Sequence, residues 1–143
     1  MKPDELIAPK KLVSLEPIEH SIRKLKILVA EDDESSEKLL SEILKKYCKE
    51  EIRVRNGIDA IETCRANPDI DLILMDIQLP DMNGYEATRE IRKFNKSVLI
   101  IAQTAYALPG DREFTLKAGC NDYISKPIDK RLLNEMIKKY FKD

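Results

Sequence analysis

The sequence is poor in the residues that build zinc sites and disulfide frameworks. It has one histidine, His20, and three cysteines, Cys48, Cys64 and Cys120, with no CxxC pair. A single histidine with isolated cysteines gives no zinc-ligand spacing. An odd and scattered set of cysteines indicates free thiols in a reducing compartment. We therefore expect no zinc or redox site and a cytoplasmic location.

Long apolar runs and an excess of one charge are also missing. The apolar runs are short and interrupted by charged residues, so the sequence predicts neither a membrane-spanning helix nor a secretory signal. The 25 basic and 26 acidic residues nearly cancel, giving a net charge of -1. This balance gives no general attraction to nucleic acid or to an anionic membrane, and we expect neither as a direct partner.

The chain divides into a short tail and one domain. Residues 1–24 are interrupted by Pro3, Pro9 and Pro17 and sustain no strand or helix periodicity, which predicts a linker or tail. Residues 25–143 are predicted to form a single domain, since a chain of this length can bury its own core.

Apolar segments alternate with amphipathic ones from Lys26 onward. Predicted strands lie at 26–30, 51–55, 72–75, 97–102 and 122–125, and predicted helices at 34–48, 56–67, from Gly84, at 110–119 and after Asp129. We expect caps at Asn56 and Asp129 and a helix end at Gly119. The expected buried helix faces comprise Leu39, Leu40, Ile43, Leu44 and Tyr47 in the first helix, and Leu132, Leu133, Met136, Ile137 and Tyr140 in the last.

This alternation predicts an α/β fold with a parallel sheet covered on both faces. Ligands of open parallel sheets bind at the carboxyl ends of the strands. The residues expected there are Glu31, Asp32 and Asp33 after strand one, Asp76 after strand three, Gln103 and Thr104 at strand four, and Ser125, Lys126 and Pro127 at strand five.

Carboxylates gathered at one edge repel one another, so Glu31, Asp32 and Asp76 together predict a cation. Mg²⁺ takes one or two protein carboxylates and reaches for phosphate, while a lysine such as Lys126 supplies a compact positive charge. Positioning and charge neutralisation are the main requirements of phosphoryl transfer. A carboxylate is a competent nucleophile for it.

Four segments resemble the signature blocks of the response-regulator receiver domain. They are "ILVAEDDES", "LILMDIQLPDMNGYE", "IAQTAYA" and "DYISKPID", and the resemblance covers residues 26–141. It implies a flavodoxin-like (βα)5 fold, a doubly wound five-stranded parallel sheet of order 2-1-3-4-5. It also implies a phosphorelay function, in which a histidine kinase or histidine phosphotransfer domain gives a phosphoryl group to the receiver.

The resemblance assigns a role to each matching residue. Asp76 matches the phosphoacceptor and Lys126 the phosphate-contacting lysine, whose bond to Pro127 is expected to be cis. The expected Mg²⁺ ligands are Glu31 (through water), Asp32, Asp76 and the carbonyl of Gln78. The expected switch residues are Thr104 and Tyr123, and the positions that tune phosphate lifetime are Gln78 and Tyr106. The fourth helix, fifth strand and fifth helix would carry the signal, with phosphorylation-dependent dimerisation as one form of it.

Three questions stay open at the level of sequence. The Glu-Asp pair and "TAYA" resemble receivers of hybrid histidine kinases, whose parent protein can be membrane-anchored, but free-standing response regulators carry the same blocks. A receiver-like module that is never phosphorylated and an Asp-nucleophile phosphatase are further alternatives. Gln78 stands where such phosphatases place their general acid, which argues against the last. His20, in "EHSIRK", only faintly resembles a kinase phosphoacceptor box and is interpreted as a linker residue.

Tyr106 is bulky and lies two positions after Thr104, which predicts that it screens a phosphoryl group on Asp76 from water. A Tyr106→Ala variant is therefore expected to lose its phosphate faster than the wild type, as followed by intact mass after removal of the phosphodonor. Equal rates of loss in the two proteins would contradict this interpretation.

Overall fold

The computed structural model describes residues 23–105 and 109–142. All but the last two residues of the predicted tail lie outside it, as do His20 and Tyr106. In chain order the elements are β1 (Leu25–Ala30), α1 (Glu34–Leu44), β2 (Cys48–Val54), α2 (Gly57–Ala66), β3 (Leu72–Asp76), α3 (Gly84–Arg92), β4 (Leu99–Thr104), α4 (Asp111–Ala118), β5 (Asp122–Ser125) and α5 (Lys130–Phe141).

The five strands form one sheet in the order β2-β1-β3-β4-β5. Every pair of neighbouring strands is parallel. The fold is therefore the predicted doubly wound, flavodoxin-like α/β arrangement of five strands and five helices. Its strand order reverses at β1 and β3, and open sheets bind ligands in the crevice at such a switch point.

Each face of the sheet carries its own hydrophobic core. Successive strand residues point to opposite faces, so Leu28 and Ile73 pack with α2, α3 and α4. Val29 and Leu74 pack on the other face with α1 and α5. All residues of β1 and β3 are buried, as expected for central strands covered on both sides.

The predicted boundary between the first helix and the second strand is wrong, and so are two predicted core positions. Helix α1 ends at Leu44, and the turn that follows lets the Tyr47 hydroxyl donate to Oδ1 of Asn134 in α5 at 2.6 Å. Strand β2 consequently starts at Cys48. Leu39 and Leu132 lie at the margins of their apolar stripes and remain 41% and 40% exposed.

Strand β4 begins two residues later than predicted, at Leu99. The reason is local, because Oδ1 of Asn95 accepts hydrogen bonds from the backbone N–H groups of Ser97 and Val98 at 3.2 and 3.0 Å. Those bonds hold the two residues in a turn, and the ladder starts only after it.

Helix ends follow the sequence signals in most places. Asn56 and Asp129 cap α2 and α5 as predicted, and Gly119, with φ +110°, ends α4 in the left-handed conformation. Helix α4 begins after Gly110, which has φ +92°, open space around it and no side chain to act as a cap. The Lys126–Pro127 bond is cis. Within the described ranges, no helix has the length and apolarity needed to cross a membrane.

Asp81 holds the loop after β3 against the start of α2. Its carboxylate accepts from the N–H groups of Gly57 at 2.6 Å, Ile58 at 2.8 Å and Met82 at 2.9 Å. Asp81 and Asn83 both precede α3 in the sequence, where either could cap it. Only Asn83 does so, in a capping box with Glu86, whereas Asp81 caps the second helix across the loop.

We expect Asp81→Ala to lower the free energy of unfolding by about 1 kcal/mol, since two first-turn N–H groups of α2 lose their acceptor. Desolvation alone would raise the pKa of Asp81, but the backbone N–H groups lower it overall. The contribution of the Asp81 carboxylate to the free energy of unfolding is therefore complete above the unfolded-state pKa of about 3.9. It disappears as pH falls through the lower folded-state pKa. Urea titrations at several pH values measure this.

Asp81→Asn is the matched control, because the amide oxygen still accepts while the charge is gone. It should lose less stability than Asp81→Ala and lack the pH dependence. An Asp81→Ala variant as stable as the wild type at neutral pH would contradict the capping role.

Candidate functional site

Three polar residues lie side by side across the carboxyl edge of the sheet. Asp76 ends β3 and is the register partner of Gln103 on β4. Glu31 follows Ala30, whose partner on β3 is Met75. Glu31, Asp76 and Gln103 therefore form a row on the face covered by α1 and α5, and we call these three residues the polar row. All three are buried.

Lys126, just after β5, brings a positive charge to two members of the polar row. Its Nζ lies 3.0 Å from Oδ2 of Asp76. It also lies 3.0 Å from Oε1 and 3.2 Å from Oε2 of Glu31, where only Oε2 has hydrogen-bond geometry. The Lys126 backbone N–H donates to the carbonyl of Thr104 at 2.8 Å, which fixes the residue beside β4. The ammonium thus holds together two carboxylates that would otherwise repel.

The backbone after β3 orients Asp76. The N–H of Gln78 donates to Oδ1 of Asp76 at 3.0 Å, and the N–H of Gly84 donates to the carbonyl of Ile77 at 2.8 Å. A Cβ on Gly84 would overlap the carbonyl oxygen of Asp76, so the loop closes this tightly only around glycine.

Burial and charge shift the ionisation of the site. Burial raises the pKa of Glu31 to about 7 and nearby Asp76 adds to the rise, although the Asp33 N–H and Lys126 oppose it. Burial would lower the pKa of Lys126, but Glu31 and Asp76 outweigh it and raise that pKa overall. The site therefore retains a firmly protonated lysine beside a carboxyl group that is costly to ionise.

Asp32 and Thr104 adjoin members of the polar row in sequence, whereas Tyr123 lies on the other face of the sheet. Asp32 is exposed next to Glu31, and its carbonyl accepts from Arg55 at 3.3 Å. Thr104 is buried at the end of β4. Tyr123 is half-buried on β5 and packs against the core beneath α2, α3 and α4. The structure thus brings Glu31, Asp76 and Lys126 into contact.

The donor set fits a hard divalent cation. Carboxylate and carbonyl oxygens outnumber the single ammonium, and Oε1 of buried Glu31 has no partner with hydrogen-bond geometry among the described residues, although the Lys126 ammonium lies 3.0 Å away. In the same part of the chain, no three acidic, cysteine or histidine side chains already converge as a metal cage. A Mg²⁺ ion bound here would complete its shell with water.

Two features of the site were not predicted from the sequence. The backbone N–H of Asp33 donates to Oε2 of Glu31 at 3.0 Å, which anchors this carboxylate from its own loop. Gln103 was noted only as a residue at a strand end, yet it completes the polar row. The alternation of side chains along a strand could have indicated this, since Gln103 points to the same face of the sheet as Leu99 and Ile101.

Comparisons with known proteins identify a family and several similar chains. Residues 27–138 match the response regulator receiver domain family. The chain is 40% identical over 119 residues to the polar-differentiation response regulator DivK of Brucella anthropi, and the match covers 82% of this chain and 96% of DivK.

Two solved structures combine a similar fold with substantial identity. The receiver domain of the sensor histidine kinase PA1611 from Pseudomonas aeruginosa, with a magnesium ion coordinated in its active-site cleft, is 39% identical with a TM-score of 0.73, over 82% of this chain and 97% of that one. The receiver domain of the response regulator Ssk1 from Saccharomyces cerevisiae, crystallised with the histidine phosphotransfer protein Ypd1, is 30% identical with a TM-score of 0.77, over 84% of this chain and 90% of that one.

Gly84→Ala is expected to lower the free energy of unfolding by about 1–3 kcal/mol, because the added methyl group meets the rigid carbonyl of Asp76. Gly57→Ala is the matched control. Its methyl group would meet Cγ of Met82 and approach Oδ1 of Asp81, which are side-chain atoms and can shift further than a backbone carbonyl. Urea unfolding measures both, and a Gly57→Ala loss as large as that of Gly84→Ala would contradict the proposed close approach.

Proposed function

This chain belongs to the response regulator receiver domain family, and we propose that it is a phosphorelay receiver that carries its phosphoryl group on Asp76. The observation that supports this most strongly is the contact of Lys126 with Asp76 beside a second buried carboxylate. A buried acid held in this way is protected from solvent and oriented by two donors, as a nucleophile for phosphoryl transfer must be.

In the proposed reaction a carboxylate oxygen of Asp76 attacks the phosphorus of a phosphohistidine. A P–O bond forms, the P–N bond breaks, and its electron pair returns to the imidazole. Lys126 then contacts a phosphoryl oxygen while the Gln78 N–H continues to orient the acid. Bound Mg²⁺, held by Asp32, Asp76 and the Gln78 carbonyl and through water by Glu31, would neutralise phosphoryl charge.

The same side chains connect the site to a signalling surface. Thr104 ends the strand next to Asp76, and Lys126 is bonded to its carbonyl. We propose that Thr104 donates to the phosphoryl group and that Tyr123 changes its position in response. The surface of α4, β5 and α5 would then favour one of two pre-existing conformations, with dimerisation as one outcome.

The proposed partners are a histidine kinase or a histidine phosphotransfer protein, and the similarity to Ssk1, which was crystallised with Ypd1, supports the second. We propose that residues 25–143 form the receiver and residues 1–24 a linker to a hybrid histidine kinase. The similarity to the PA1611 receiver supports that parent. A free-standing cytoplasmic regulator is the second candidate, favoured by the match to nearly the whole length of DivK.

Incubation with Mg²⁺ and acetyl phosphate is expected to add one phosphoryl group to the wild type, visible by intact mass. Asp76→Asn should gain none. Asp81→Asn, which changes an acid of the same loop outside the polar row, should be labelled like the wild type. In a second experiment the phosphodonor is a phosphorylated histidine phosphotransfer domain. It should transfer its phosphoryl group to the wild type in the presence of Mg²⁺.

Labelling that persists in Asp76→Asn would contradict the assignment of the phosphoacceptor. Absence of any adduct, together with no binding of beryllofluoride, would favour a receiver-like module that is never phosphorylated.

A further inference from the structure

Three buried side-chain atoms among the described residues have no hydrogen-bond partner, and all belong to the polar row. They are both amide atoms of Gln103 and Oε1 of Glu31, which lies 3.0 Å from Nζ of Lys126 but outside hydrogen-bond geometry. Both side chains are fully buried. Buried polar groups in folded proteins are nearly always hydrogen-bonded, because an unpaired one costs its full desolvation penalty. Because these unpaired atoms all lie beside Asp76, we expect one hydrogen-bonding partner to be shared among them.

The register of the sheet brings these atoms within reach of one another. Gln103 and Glu31 lie on either side of Asp76, one strand away in each direction. Two strand spacings place their Cα atoms roughly 10 Å apart, on the same face. Two long side chains and one water molecule can span that distance.

A simple packing role accounts poorly for Gln103. On its face of the sheet Asp76 is its register partner on β3, but Ile101, two residues before it, and Ile124, its register partner on β5, are apolar. An aliphatic residue would fill the same space without desolvating an amide. Glutamine at this position is therefore stabilising only if its amide is bonded.

We propose that Gln103 is a positioning residue whose amide shares one enclosed water molecule with Oε1 of Glu31, and so orients the carboxylate that holds Lys126. A buried water typically makes about three hydrogen bonds, which matches the unpaired atoms of the polar row. The consequence for phosphoryl transfer rests on the proposed function, whereas the bridge itself does not.

The bridge is tested directly by NMR on the full chain without Mg²⁺. The side-chain amide protons of Gln103 are expected to show rotating-frame NOE contacts to a long-lived water molecule. That contact should disappear in Glu31→Met, which removes the acceptor on the other side. An amide of Gln103 without contact to water would overturn the proposal.

The positioning role is tested by Gln103→Met, which keeps the length of the side chain and removes its polar atoms. Mg²⁺-dependent labelling by acetyl phosphate should slow by about tenfold, as is typical when a residue that orients a site is lost. The decrease should appear in the maximal rate, with the half-saturating acetyl phosphate concentration unchanged. Ile101→Met is the matched control, on the same strand and face, and should be labelled like the wild type.

A Gln103→Met variant labelled at the wild-type rate, or an Ile101→Met variant equally slow, would overturn the positioning role. The melting temperature of Gln103→Met gives a second readout. It should fall if the amide is bridged and rise if Gln103 is an unbonded core residue. Failure of the wild type to label on Asp76 would instead count against the proposed function, and the NMR experiment would still decide the bridge.

Discussion

The contact of one ammonium with two buried carboxylates is the constraint around which the functional edge of this molecule is organised. Glu31 and Asp76 come from adjacent central strands, where burial makes ionised side chains costly. Lys126 offsets that cost, but it comes from β5, two strands away from β3. The contact therefore requires β1, β3 and β5 to end at the same edge and in a fixed register.

Much of this arrangement could be predicted from local sequence. Apolar runs such as Leu72 to Met75 identify buried strands, and their alternation with amphipathic segments leads to the parallel sheet. Polar residues that follow directly after such runs must lie at the carboxyl edge. Glu31, Asp76 and Lys126 are predictable in this way, because the strand ends of a parallel sheet converge whatever the details of the loops.

The features that were missed or misjudged depend on contacts between distant parts of the chain. Asp81 precedes the third helix in sequence, yet its carboxylate accepts hydrogen bonds from N–H groups of the second helix. This contact depends on how the loop folds and has no local sequence signal. The chain turns after Leu44 at the end of α1, and the Tyr47 hydroxyl then donates to Asn134, which is distant in sequence. Nothing in the local sequence distinguishes Gln103. Its importance follows from its register with Asp76 and from its unpaired amide, which are visible only in the structure.

The loop after β3 is fastened at both ends, to α2 through Asp81 and to the Asp76 backbone through the close approach of Gly84. At the start of α4, by contrast, a Cβ on Gly110 would meet no described atom within 4 Å. A displacement that begins at Asp76 therefore meets a rigid support on the α2–α3 side, and the backbone there cannot shift without moving Gly84 at the start of α3.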